Sequence, residues 1–178
     1  MNDPVKELPD VVRACAETYE ATKIANYLDT YFTENAFILH PLINQPARVH
    51  GKEYLKGIYK VYRIFLINNQ VRFHAVTFNE NKTQAALEFT ERLEPRFLPA
   101  GLFVFHIKCL SRLDLEKSSD GKYRITRQDD QFVSDLNVLG ILPFNQILVS
   151  MITFMKSFAG FWVAIIGKYL LEKEFFGA

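Results

Sequence analysis

The sharpest pattern in the chain runs from Gly51 to Leu66. Tyr54, Leu55, Ile58, Val61, Tyr62, Phe65 and Leu66 fall at three- and four-residue steps, with Lys52, Glu53, Lys56 and Lys60 between them. Apolar residues at that spacing line one side of a helix, so this stretch is read as an amphipathic helix opened by Gly51. Two weaker stripes precede it. Val5, Leu8, Val11, Val12, Cys15 and Tyr19 follow the Asp3-Pro4 start signal, with Pro9 expected to delay the helix. Ile24, Tyr27, Leu28 and Tyr31 mark a second helix over about Glu20 to Phe32, capped by Thr18 or Thr22. Ala36 to His40 reads as a short strand stopped by Pro41.

From Gln70 the period changes to two. Four strands are expected: Val71 to Asn79, Gln84 to Leu93, Phe103 to Leu115, and Tyr123 to Val133. Asn79 to Lys82 and Ser118 to Gly121 supply the turn residues between them. Helices followed by long antiparallel strands define an α+β fold: three N-terminal helices packed in a curved antiparallel sheet. The segment Glu94 to Gly101 is the longest irregular connection within the sheet and is expected at its rim.

The last stretch has a different character. Between Ile147 and Gly167, a run of 21 residues, the only charge is Lys156. That length approaches the roughly 20 apolar residues a helix needs to cross a bilayer. Gln146, Ser150, Thr153, Ser157, Gly160, Ala164 and Gly167 share one narrow face, a seam suited to close packing on the rest of the fold or on another helix. Phe154, Phe158, Phe161, Trp162 and Ile165 are the expected membrane-contacting residues on the remaining surface. Lys156 argues for a helix lying in the interface or for a hairpin broken at Gly160. Residues 1–143 and 144–178 are therefore read as a core domain and an apolar helical segment. Its alternative use is a buried or dimer-forming helix.

Composition narrows the functions. The 178 residues suffice for one domain, and 49% apolar with 14% aromatic content fills a core and leaves aromatic surface over. Lys and Arg number 21 against 20 Asp and Glu, which gives no field to gather nucleic acid. Cys15 and Cys109 stand far apart, and no Cys or His spacing suits a metal, so no metal or cofactor is expected. The two thiols are read as buried in a reducing compartment. The N-terminus carries no secretory or transit pattern, which makes the cytosolic side the expected location.

A resemblance sharpens these expectations. The string Tyr31 to Pro41, the segment Gly51 to Ile58 with Tyr59-Lys60-Val61-Tyr62-Arg63, and Arg127 to Phe132 ahead of an apolar end are similar to the fungal SigF-like branch of the nuclear transport factor 2-like superfamily. It covers nearly the whole chain from about residue 10. The resemblance implies a SnoaL-like cone with a hydrophobic cavity. The wider superfamily includes isomerases, dehydratases, cyclases, hydrolases and pure binding modules, so fold does not select among them.

Candidate chemistry is sought where polar groups can meet such a cavity. His40 and Asp130 are the candidate proton acceptors, since burial beside a tyrosine tunes an acid or base. Tyr31, His40, Tyr59, Tyr62, Arg63, Phe73, Phe89, Phe103, Phe105 and His106 form the candidate lining. Asp129 and Asp130 must face opposite sides of their strand, so only one points inward. The plainer readings are a strand-end His40 bonded to its following loop, an Arg63 ion pair with Asp130 or Glu88, and solvent-facing His50 and His74. Three functions follow. The first is a binding domain for a lipid-like or other hydrophobic small molecule, held on the cytoplasmic face of an intracellular membrane such as the endoplasmic reticulum or a lipid droplet. The second is an isomerase or dehydratase using His40 or Asp130. The third is a scaffold whose outer sheet face forms a homodimer or holds a partner.

Overall fold

A computed structural model describes residues 1–99, 101, 103–132 and 145–174. Helices α1 (Pro4–Glu17) and α2 (Ala21–Tyr31) are followed by strand β1 (Phe32–Leu39), a 3-10 turn (Ala47–Val49) and helix α3 (Lys52–Phe65). Strands β2 (Leu66–Phe78), β3 (Gln84–Pro95), β4 (Phe105–Lys117) and β5 (Tyr123–Phe132) come next, then helix α4 (Asn145–Glu172). The strands form one sheet in the order β1-β5-β4-β3-β2, and the α+β cone read from the sequence is the observed fold. The expected boundary at Pro143, the strand end at Val133 and the tail from Phe175 to Ala178 lie outside the described residues.

Several boundaries move for local reasons. Pro9 does not delay α1, which starts at Pro4. Glu7 accepts the N–H groups of Asn2 and Asp3 at 2.7 and 2.8 Å and so secures the first turn. Neither Thr18 nor Thr22 caps α2, whose N-cap residue is Glu20 with no side-chain cap bond. Strand β1 begins at Phe32, directly after α2, and its partner β5 runs parallel to it. A parallel neighbour distant in sequence leaves no local signal. Likewise β2 leaves α3 without a loop, and the chain turns at Asn68 (φ 52°) beside a register shift between Ile67 and Gln70.

The strand alternation holds in β3 and β4, while register shifts interrupt it in β2 between Phe73 and Ala75 and in the β4–β5 pairing between Asp114 and Leu115. In β3, Ala85, Leu87 and Phe89 face the helices while Glu88 points away, and in β4 Cys109, Ser111, Leu113 and Leu115 take the inner face. Leu8, Leu28, Leu55, Leu87, Leu113 and Ile125 are fully enclosed between helices and sheet. Both cysteines are buried thiols, and burial pushes each up to about 12.

Helix α4 is unbroken through Gly160, which overturns the hairpin expected there. Its small residues instead allow backbone to meet backbone. A Cβ on Gly167 would lie 2.1 Å from the carbonyl oxygen of Gly57 in α3, and one on Gly160 would lie 2.0 Å from that of Asn44. Ala164 between them is fully buried, and Asn44 N–H donates to the Lys156 carbonyl at 3.0 Å. The seam read from the sequence is thus closed against the cone from about Ser157 onward. Ser150 and Thr153, at its N-terminal end, stay exposed. Phe161 and Ile165 also pack against the core, which corrects their assignment to a membrane face. The opposite side is bare: Phe154, Phe158 and Trp162 are exposed at 72%, 59% and 46%. With Met151, Met155, Ile166 and Tyr169 they form a continuous apolar stripe.

Because backbone atoms, not flexible side chains, oppose these glycines, Gly167→Ala must part α3 from α4. The expected loss is about 1–3 kcal/mol of unfolding free energy, measured by urea denaturation. Thr153→Ala on the exposed part of α4 is expected to stay within about 0.5 kcal/mol of the parent.

Candidate functional site

Three layers meet in a cavity of about 230 Å³. Val12 and Ala16 of α1, Ile58 of α3 and Phe89 of β3 give it apolar walls. Ile38, Leu42 and Ile43, on β1 and the loop after it, and Val163 of α4 cover it. Polar groups enter from three inner-face positions on two strands. On β5, Gln128 and Asp130 share the parity of the inner face, while Arg127 and Asp129 point the other way and pair at 2.6 Å. On β3 the apolar alternation Ala85-Leu87-Phe89 continues into Glu91.

Each carboxylate is tied to a tyrosine of α3 through a short chain of hydrogen bonds. Asn69 donates to the Tyr62 hydroxyl at 2.6 Å, and that hydroxyl donates to Glu91 Oε1. In parallel, the Tyr59 hydroxyl donates to Gln128 Oε1 at 3.1 Å, and Gln128 Nε2 donates to Asp130 Oδ2 at 2.7 Å. Asp130 Oδ1 is shielded from solvent and has no hydrogen-bond partner. Lost hydration disfavours the charged carboxylates. Burial pushes Glu91 up to about 7, against the opposing bond from Tyr62 and with the Asp130 charge adding to the rise. Burial also pushes Asp130 up to about 6, partly offset by Ser111, its cross-strand neighbour, and by Gln128. Both phenols are raised, first by desolvation, so they act as proton donors in hydrogen bonds rather than as phenolates.

His40 lines the same cavity, edge-on to Phe132 at 5.5 Å between ring centres. Its Nδ1 accepts the Leu42 N–H at 3.2 Å, the strand-end arrangement expected of a histidine before a turn-forming proline. Burial, with Lys156 nearby, lowers it to about 4, so the ring is neutral near pH 7. A neutral imidazole with a pKa near 4 is a weak general base.

The rest of the expected lining is dispersed. Tyr31 stacks on Tyr27 of its own helix, and Phe73 sits behind Phe89 with Arg13 over its ring at 5.3 Å. Phe103, Phe105 and His106 are exposed. Arg63 turns away from the cavity, and the expected ion pair with Asp130 or Glu88 is replaced by other contacts. Its Nη2 donates to the Cys15 carbonyl at 3.2 Å, and its guanidinium lies between the Tyr19 and Tyr62 rings. His50 is stacked on Phe37 at 4.0 Å rather than facing solvent, whereas His74 is exposed. Among the described residues no three His, Cys, Asp or Glu side chains gather as a metal site. Glu91 is the functional candidate that residue-by-residue reasoning passed over. Its signal was parity, since it continues the inner positions of β3.

A curved sheet closed over helices around an apolar cavity is the nuclear transport factor 2-like cone. The chain belongs to the SigF NTF2-like domain family, whose model matches residues 1–175. Solved structures share the fold at low identity. A SnoaL-like family protein from Agrobacterium tumefaciens is 9% identical with a TM-score of 0.53, over 71% of this chain and 95% of that one. A protein with a ketosteroid isomerase-like fold from Catenulispora acidiphila, in complex with trimethylamine, is 14% identical with a TM-score of 0.55, over 78% and 95%. The epoxide hydrolase/cyclase-like enzyme SalBIII, of pyran ring formation in the polyether salinomycin, is 14% identical with a TM-score of 0.54, over 74% and 94%. No curated protein matches the sequence.

The acids carry a pH signature whose sign is fixed. A carboxyl whose folded pKa exceeds its unfolded one binds its proton more tightly in the native state, so stability is highest below about pH 4.5 and falls as pH rises to about 7. His40, lowered from 6.5 to about 4, acts in the opposite sense over an overlapping range. The difference between parent and variant isolates Glu91. Glu91→Gln is expected to become progressively more stable relative to the parent between pH 4.5 and pH 7, measured by urea denaturation at each pH.

Proposed function

We propose that this chain is a membrane-associated cone that binds a lipid-like or other hydrophobic small molecule, with the polar end of the ligand directed at Asp130 and the Tyr62–Glu91 pair. The observation that carries the reading is a mostly apolar cavity lined on one side by two buried acids, Glu91 and Asp130, with the buried Asp130 Oδ1 left without a partner. Partition of an apolar body burying about 200 Å² would contribute about 5 kcal/mol, and one or two hydrogen bonds to the acid floor would fix its orientation. A protonated Glu91 or Asp130 can donate to a carbonyl or hydroxyl, and an ionised one can accept from it. A place in the fungal branch of the family, and a site on the cytoplasmic face of an intracellular membrane, belong to the same reading.

Membrane association rests on α4. The stretch Ser150–Glu172, 23 residues, is long and apolar enough to cross a bilayer by length and composition, and only 17% of its most apolar window is buried, unlike a core helix. Attachment through the exposed stripe, with the seam kept on the cone, fits this packing better than a span. A crossing would have to pull Gly160 and Gly167 off Asn44 and Gly57. Lys156 then marks where α4 meets the cone, with Met151 to Met155 projecting beyond it.

A second reading, an isomerase or dehydratase, is favoured by the raised pKa of an inward acid with one unpartnered oxygen. Asp130 would abstract the proton beside Tyr62, and a protonated Glu91 held by Tyr62 would donate to the developing oxyanion. The scaffold reading draws less support. The described outer sheet face carries Arg72, His74, Glu88, Thr90, Lys108 and Arg112, with Leu110 as its exposed large aliphatic residue.

Two measurements test the proposal and a third tests the second reading. The full chain, purified and extracted with organic solvent, is expected to release a hydrophobic molecule in near-stoichiometric amount by mass spectrometry. An empty cavity overturns the carrier reading. In liposome flotation, replacing Phe154, Phe158 and Trp162 by Ser is expected to abolish binding without lowering the melting temperature, and unchanged flotation removes the role of the stripe. If the ligand exchanges a carbon-bound proton in deuterated buffer, Asp130→Asn is expected to slow exchange by about 10²–10⁴-fold, followed by proton nuclear magnetic resonance. Exchange at the parental rate rules Asp130 out as the base.

A further inference from the structure

A second pocket, of about 180 Å³, lies between α2, α3 and the last turn of α4. Four cations line it: Lys56, Lys60 and Arg63 of α3, and Arg96 from the connection after β3. No acidic side chain is among the described residues that line it. The three from α3 stand at steps of four and three residues, on one helix face, where like charges repel. Lys56 is neutralised by Asp29 and Glu53, both at 2.8 Å. The next two are far more enclosed than surface cations, with Lys60 exposed at 6% and Arg63 at 5%. Desolvation lowers both.

Arg63 is the unusual member. Among the described residues no carboxylate lies within ion-pair distance of it. Its Nε and Nη1 are buried without a hydrogen-bond partner. The Tyr19 and Tyr62 rings attract the charge but supply no oxygen acceptor for these groups. A buried guanidinium left so is costly unless an anion approaches it. Arg96 adds to the positive field and also removes a competing negative one. Its Nε and Nη2 donate to the carbonyls of Ile64 and Arg63, both at 2.9 Å, and so occupy acceptors at the C-terminal end of α3. The first turn of α2, which has no side-chain cap, opens on the pocket at Ala21. Ile24, Ile64, Phe97 and Leu171 supply the apolar part of the wall.

We propose that this pocket is an anion site that takes the phosphate head of an amphiphilic molecule, its apolar chain running along Ile24, Phe97 and Leu171. The same chemistry serves a phosphate-headed lipid or a soluble phosphate ester. The site is separate from the acid-floored cavity, whose lining it does not share.

The test uses the full chain and isothermal titration calorimetry with hexyl phosphate and inorganic phosphate. Hexyl phosphate is expected to bind one to one, more tightly than inorganic phosphate. Lys60→Met and Arg96→Gln are each expected to weaken it about tenfold, the loss of one charged hydrogen bond, while Lys60→Arg retains it. Asp130→Asn is expected to leave it unchanged, which keeps this site distinguishable from the cavity. Failure of hexyl phosphate to bind, or unaltered affinity in both charge-removed variants, overturns the proposal; Arg96 is exposed, so its variant keeps the test open if Lys60→Met does not fold. Flotation with phosphatidic acid vesicles against phosphatidylcholine vesicles then separates the sources. A gain lost in Arg96→Gln but kept in Lys108→Gln supports a lipid head, and binding of hexyl phosphate without such a gain supports a soluble ester.

Discussion

Everything in this molecule leans on helix α3 being buried from more than one side. Ile58, Tyr59 and Tyr62 press toward the sheet and form one wall of the cavity, while Gly57 takes the backbone of α4 at Gly167 on another side. Backbone-to-backbone contact leaves no side chain that could yield, so the crossing of the two helices is fixed by the glycines. That crossing carries Val163 over the cavity and Leu171 to the cationic pocket. The C-terminal helix is therefore part of both pockets.

The polar content of the interior follows from the same constraint. Once α3 is seated, its tyrosines can reach strands β3 and β5, and the hydroxyls of Tyr62 and Tyr59 meet Glu91 and Gln128. These bonds hold two acids in an apolar cavity at a cost that burial alone would make prohibitive. They also leave the acids unequal. Glu91 is engaged by Tyr62 and Asp130 by Gln128 through one oxygen, while the other, Oδ1, stays buried without a partner.

Arg63 shows how one residue can separate two environments. Its ring contacts and its bond to the Cys15 carbonyl tie α1 to α3, and the charge so held faces the second pocket rather than the first. One pocket is thus floored by acids and the other lined by cations, on different sides of the same helix.

The sequence by itself determined the alternation that seats side chains on β3 and β5, the amphipathic stripe of α3, the small-residue face of α4 and the opposition of Asp129 and Asp130. These are local periodicities, fixed by backbone geometry within a few residues. Even Glu91 was legible in principle, as a carboxylate at an apolar strand position. Only the tertiary structure decided that β1 lies parallel beside β5, that α4 turns its glycines to Gly57 and Asn44, and that Arg63 leaves the acids for the Cys15 carbonyl. It also dispersed Tyr31, Phe73, Phe103, Phe105 and His106, none of which is among the described residues that line the acid-bearing cavity. Each of these depends on which surfaces meet across long separations in the chain. Periodicity names the face of a helix or strand, but the partner of that face is chosen by packing.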